Sequence, residues 1–195
     1  MTSLLDAIGA LIIGGLLLLT MINAVFNVHA RAVDIEQQIV LAEVSENIVR
    51  IISEYLSLAG AGAGGQMLNN TGKNRLMFSA SDSTYTGMQK QYDIIQGPAI
   101  YKKGYPLEVY INSNKVLGPF YLTDSLRITY FNEANQIINL TNNLIPVENL
   151  DDIRYIRMEM EFFYDAFAPD SLAGPDRKDP KNRVVLWHYF FNLYL

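Results

Sequence analysis

The sequence predicts an α+β chain in which one long N-terminal α-helix, transmembrane in its first half, packs its second half on an antiparallel β-sheet. Three observations carry this expectation. Ala7–Phe26 is a run of twenty residues without a charge, the length that crosses the hydrocarbon core of a bilayer at ~1.5 Å per residue. From Asn27 the pattern becomes amphipathic with no helix breaker, because the first proline is Pro98. From Arg75 on, short β-prone runs alternate apolar and polar residues between Gly, Pro and Asn clusters. The length of 195 residues accommodates one such helix and a single domain of about 135 residues.

Within the helix, only Thr20 and Asn23 interrupt the apolar run as polar side chains. Beyond it, Val33, Val40, Val44, Ile48, Ile51, Tyr55 and Leu58 recur three, four or seven apart, the stripe of a helix with one buried face. Arg31, Asp34, Glu36, Glu43, Glu46, Arg50 and Glu54 take the remaining surface. The expected division is therefore a membrane half at 1–27, an amphipathic half at 28–60 and a β domain at 61–195. Val40, Val44, Ile48, Ile51 and Tyr55 are the expected contacts of the helix with the sheet, with Trp187 opposite them.

Ala59–Gly65 reads Ala-Gly-Ala-Gly-Ala-Gly-Gly, which weakens a helix and predicts its end. Gly60, Gly62 and Gly65 match a GxGxxG spacing, but they follow a helix rather than a strand, so a hinge is the better reading. Strands are expected at Leu76–Ala80, Tyr92–Gln96, Leu107–Asn112, Leu126–Phe131 and Gln136–Leu140. Gly97-Pro98, Gly104, Asn112-Ser113-Asn114 and Gly118-Pro119 are expected to separate them. Ile156, Met158, Met160 and Phe162 alternate with Arg157, Glu159 and Glu161, a strand with one buried and one wet face. In Val184–Leu195, Val185, Trp187, Tyr189, Phe191, Leu193 and Leu195 form a wholly apolar face, which is expected to point inward. The Pro-rich stretch Asp165–Asn182 is expected to be the long loop of a hairpin.

Composition narrows the function classes. With 15 basic and 20 acidic residues the net charge is −5, which disfavours nucleic acid as a partner. No cysteine is present, which removes disulfides and thiolate metal sites. Met-Thr-Ser-Leu-Leu-Asp carries none of the Lys or Arg of a secretory signal, and no cleavage motif closes the apolar run. The segment is thus expected to be retained, or a basic leader to have preceded Met1. The first cation is Arg31, so charge does not set the orientation in the membrane.

Catalysis and cofactors find little support. His29 and His188 are the only histidines, and neither HExxH nor GxSxG occurs. Asp165, Asp170, Asp176 and Asp179 share a loop without EF-hand spacing, so no metal site is expected. Arg177, Lys178, Lys181 and Arg183 are diluted by acids as a phosphate-binding patch. Asn69-Asn70-Thr71 and Asn139-Leu140-Thr141 are N-glycosylation sequons where that modification exists. Ser3 and Asp6 have the spacing of a capping box, but a carboxylate at the edge of a membrane run is also a functional candidate. Gly9, Gly14 and Gly15 are small residues of the kind that let helices approach closely in membranes.

The charge-free start Ser3–Gly15 with its lone carboxylate Asp6 and the amphipathic continuation resemble the type IV pilin superfamily, which includes the pseudopilins of type II secretion systems. The runs Leu126–Tyr130, Val147–Arg154 and Met158–Phe162 are similar to the sheet region of larger minor pilins. Asp6 stands where such proteins usually have a glutamate, one place further in, and removal of Met1 restores the spacing. The resemblance implies a pilin-like fold and a structural role, not enzymatic and without cofactor, in a pilus-like or pseudopilus-like filament. It also implies pairing of Asp6 with the N-terminal amine of a neighbouring copy, Met1 or a methylated residue in its place. The implied partners are like or sister pilin subunits, the cytoplasmic membrane before assembly, a prepilin peptidase and assembly machinery. The alternative expectation is a single-pass anchored binding or sensor domain that never polymerises.

Overall fold

A computed structural model describes residues 2–61, 67–81, 89–101, 103–163 and 181–190. The chain divides into two compact units, Met1–Ile39 and Val40–Leu195. Helix α1 runs over Thr2–Ser57 without interruption, as expected of a stretch rich in Leu, Ile, Ala and Glu with no proline. It ends where Gly60 takes a φ of +79°, a left-handed conformation that glycine adopts without steric cost. A Cβ at Gly60 would overlap the Met67 thioether, which would have to move aside, and any other residue would carry the strain of the positive φ.

The second unit is an eight-stranded antiparallel sheet that receives the Val40–Ser57 part of α1. Its strands are β1 (Leu68–Gly72), β2 (Arg75–Ser81), β3 (Gln89–Gln96), β4 (Tyr105–Ile111), β5 (Asn114–Leu122), β6 (Arg127–Phe131), β7 (Tyr155–Phe163) and β8 (Lys181–Tyr189). The order is β1-β2-β3-β4-β5-β7-β6, with β8 paired to β7. A single 3₁₀ turn, Val147–Asn149, lies between β6 and β7. Period-two burial is regular in β2, where Leu76, Phe78 and Ala80 point inward, and in β7, where Ile156, Met158, Met160 and Phe162 do. These side chains join Tyr92, Ile94, Leu107, Val109, Leu122 and Ile128 in one core.

Helix α1 closes that core with Leu41, Ile48, Ile52 and Leu56, joined by Ala59 in the turn just beyond its end, all buried. The buried face is therefore rotated from the expected one. Ile48 is central at 3% exposure, Val44 and Tyr55 pack at its margin, Ile51 is half-buried, and Val40 is 39% exposed. Ser45 obscures this face in the sequence. A stripe through Leu41, Ser45, Ile48, Ile52 and Leu56 carries a polar residue at its centre, while the Val40–Val44 stripe does not. Ser45 is nonetheless fully buried. Its hydroxyl donates to the Ala42 carbonyl at 3.0 Å and accepts from the Asn182 side-chain amide, so its polarity is satisfied in place.

Besides β1 (Leu68–Gly72), which lies ahead of the strands expected from Arg75 on, two stretches differ from expectation. Gln136–Leu140 contributes only an isolated bridge between Ile137 and Phe131, whereas Asn114–Leu122, expected to be broken by Gly118-Pro119, is the continuous strand β5. Register shifts on either side of Val109 in the β4–β5 pair take up the extra residues, the device by which a strand absorbs an irregularity. Gly118 sits at φ +91° with the Leu107 carbonyl 2.4 Å from where a Cβ would be.

Strand β8 turns the opposite face inward from the one expected. Ile156, Met158 and Met160 of β7 lie opposite His188, Leu186 and Val184, and directly opposed residues share a face. Val184, Leu186, His188 and Phe190 therefore face the core, and Phe190 is buried. Trp187 is 54% exposed and is not a helix–sheet contact. It packs on the outer face with Phe131 at 5.6 Å and Tyr155 at 6.0 Å between ring centroids. The sequence pattern misled because both faces of this strand are largely apolar and the more aromatic one covers the sheet's exterior.

Truncation should therefore read in the order set by burial. Phe190→Ala should cost ~3–5 kcal/mol and Trp187→Ala well under half of that; chemical denaturation of both variants in detergent checks the ranking. His188 provides a second test. Burial lowers its imidazole pKa, only partly offset by a hydrogen bond to the Leu56 backbone. Protonation thus favours the unfolded chain, whose histidine titrates near 6.5. The His188 contribution to stability should be complete above that pH and fade as pH falls below it. His188→Gln should flatten this part of the melting-temperature profile between pH 7.5 and 5.5.

Candidate membrane and assembly segment

The unit Met1–Ile39 consists of helix and little else to cover it. Leu4, Leu5, Ile8, Leu11, Ile12, Ile13, Leu16–Leu19, Met21, Ile22, Val25, Phe26 and Val28 are all exposed large apolar side chains. Leu11 is the extreme at 78%. A helix apolar on every side belongs in lipid or among other helices. By length and composition α1 is the single helix among the described residues able to cross a membrane. Thr20, the first polar interruption, donates its hydroxyl to the Leu17 carbonyl at 2.7 Å, so it enters an apolar medium with its donor already satisfied.

Asp6 lies within α1, and among the described residues no cation pairs with it. The helix begins at Thr2, ahead of Ser3, so the Ser3–Asp6 pair sits inside the helix rather than at its cap. Met1 lies outside the described residues. Gly9, Gly14 and Gly15 have helical backbones, and a Cβ on any of them would meet nothing within 4 Å. Among the described residues no contact requires glycine there, although each costs about 1 kcal/mol of helix stability relative to alanine.

Among its described residues the β domain holds no comparable reactive constellation. A polar recess lined by Asp124, Ser125, Arg127, Glu159, Glu161 and Arg183 is internally neutralised. Glu159 accepts from both Arg183 and Arg157, which hold its carboxyl below the usual range against the opposing effect of burial. Lys181 pairs with Glu161 at 3.6 Å. Arg75 grips Asp93 through two bonds of 2.9 and 2.7 Å. Among the described residues no three His, Asp or Glu side chains converge as metal ligands. His29 is exposed and His188 faces the core. Asp165, Asp170, Asp176, Asp179, Arg177, Lys178, Gly62 and Gly65 lie outside the described residues.

The sequence reading missed the outer aromatic cluster. Phe131 stacks on Tyr155 at 4.7 Å and 9°, Tyr155 on Tyr189 at 6.4 Å and 18°, and the Arg157 guanidinium lies 5.6 Å over the Trp187 ring. The signal was present as the period-two series Val185, Trp187, Tyr189, read for the wrong face.

Because no described residue occupies the space beside them, Gly9→Ala, Gly14→Ala and Gly15→Ala should each leave the thermal stability of the detergent-solubilised chain unchanged or slightly raised. A fall in melting temperature would reveal an intramolecular contact at that glycine.

No protein-family model matches this chain, and neither a curated protein nor a solved structure matches it.

Proposed function

We propose that the chain is a structural subunit of a pilin-like helical filament. It is held in the cytoplasmic membrane by the first half of α1 until assembly, and it is then packed into an extracellular or periplasmic fibre. The observation that carries this reading is a helix apolar on all sides, interrupted early by one carboxylate for which the described residues supply no cation. Lipid alone satisfies the apolar surface but not Asp6, since an ionised carboxylate in an apolar medium is costly unless paired. A bundle of such helices satisfies both. Neighbouring apolar segments replace lipid, and the terminal amine of an adjacent copy meets Asp6. Gly9, Gly14 and Gly15 then allow close approach of backbones in the bundle. The enclosed, internally neutralised β domain supports a non-catalytic role at the fibre surface. A prepilin peptidase and assembly machinery are the partners this reading calls for, with like or sister subunits along the fibre.

Substitution at Asp6 separates this function from a simple membrane anchor. Asp6→Ala and Asp6→Asn should reach the membrane at normal level, since neither is less compatible with lipid than aspartate, yet be missing from sheared surface filaments. Asp6→Glu should keep most of the assembly. Immunoblots of membrane and filament fractions are the measurement. Normal filaments from the Ala and Asn variants would remove the pairing role, and filaments absent even from the unmodified chain in its native cell would favour an anchored binding or sensor domain.

A further inference from the structure

Strand β8 reads Lys-Asn-Arg-Val-Val-Leu-Trp-His-Tyr over Lys181–Tyr189. One edge is paired with β7 through nine consecutive residues without a register shift. Among the described residues its other edge has no strand beside it. Folded proteins shield such edges with prolines, bulges, shortness or charge, because an open row of N–H and C=O groups is a template for another strand. Here there is no proline, glycine or bulge. The cations Lys181 and Arg183 guard one end, while Val185, Trp187 and Tyr189 are exposed at the other.

That asymmetry is self-complementary. We propose that the free edge of β8 pairs antiparallel with β8 of a second copy about a twofold axis through Val185. In this register Lys181 of each copy faces Tyr189 of the other, Arg183 faces Trp187, and Val185 faces itself, all on the outer surface. On the inner surface Asn182 meets His188 and Val184 meets Leu186. Every cation thus lies across from an aromatic ring, an attractive arrangement, and no like charges oppose each other. Competing registers are poorer. An axis through Val184 sets Asn182 against Leu186, and a parallel in-register pair stacks lysine on lysine and arginine on arginine, which is destabilising. Among the described residues of β8, all nine pair with one another only when the axis passes through Val185. Such a contact uses the same patch on both copies and closes at two, so it cannot propagate a polar fibre. It belongs to a paired state of the subunit outside the filament and stands whether or not the filament reading holds.

The chain contains no cysteine, so one substitution supplies its sole thiol. In membranes holding the full chain, oxidation of Val185→Cys should give a disulfide-linked dimer. Val116→Cys, at an exposed position of β5, should give none. Lys181→Cys and Tyr189→Cys should each fail alone, because identical residues at the strand ends lie ~27 Å apart across the axis, and should cross-link when the two variants are co-expressed. Val185→Lys sets two cations on the axis while meeting Glu159 of its own sheet. Added to both co-expressed variants, it should abolish the 181–189 cross-link with the melting temperature retained. Asp6→Ala, which tests the filament, should leave every cross-link unchanged. Equal cross-linking at 116 and 185, no dimer from Val185→Cys, or a 181–189 cross-link that survives Val185→Lys would overturn the pairing.

Discussion

The β domain depends on the burial of one helical face. Leu41, Ile48, Ile52 and Leu56 cover the inner side of a sheet whose core residues run from Leu76 and Phe78 to Met158 and Phe162, joined by Ile138, Ile145, Leu150 and Ile153 from the β6–β7 connection. A sheet of this size with one face open would expose a large apolar patch, so the strands and the helix stabilise each other. The few polar groups drawn into this interior are matched one by one. The Tyr130 hydroxyl donates to the Gly72 carbonyl at 2.6 Å, and the Gln96 amide oxygen receives the Leu126 N–H. Burial holds the Tyr130 phenol far above its ordinary pKa, so it remains a donor under all physiological conditions.

The outer face is organised differently. There the strands are tied by charge and by flat rings. The Arg157–Glu159–Arg183 cluster and the Arg75–Asp93 fork lie across adjacent strands, where opposite charges favour pairing. The Phe131–Tyr155–Tyr189 stack continues the same role with aromatic contacts at the end where charge runs out. The exterior thus contributes strand alignment, while the interior contributes most of the stability.

Much of this was legible from the residues. The long helix, its end in the Ala-Gly run, and strands β2, β3, β4, β6 and β7 follow from propensity, period and turn residues. What was lost involved residues whose local preference was overruled by a distant partner. Gly118-Pro119 reads as a turn, yet shifts in the facing strand β4 let it continue as a strand. Ser45 reads as surface, yet the amide of Asn182, 137 positions later in the chain, draws it inside. Trp187 reads as core because it is the most apolar side chain of its strand, yet the pairing with β7 sends its even-numbered neighbours inward. In the N-terminal unit Asp6 is singled out by type and position alone, and among the described residues no cation pairs with it.

The Ser45–Asn182 contact has a further consequence for how the helix is indexed against the sheet. Ile48, Ile52 and Leu56 follow one another at intervals of four, so sliding the helix by one turn, ~5.4 Å, would replace isoleucine by isoleucine and isoleucine by leucine. Apolar packing alone distinguishes such neighbouring positions weakly. The hydroxyl does so sharply. Displaced by a turn, the Ser45 hydroxyl would keep its bond to the Ala42 carbonyl, but the Asn182 amide would lose this acceptor, at ~1–3 kcal/mol where such a group is left unmet. The single polar residue in the helix seam thereby acts as a detent, selecting one seating of the helix from a ladder of nearly equivalent ones.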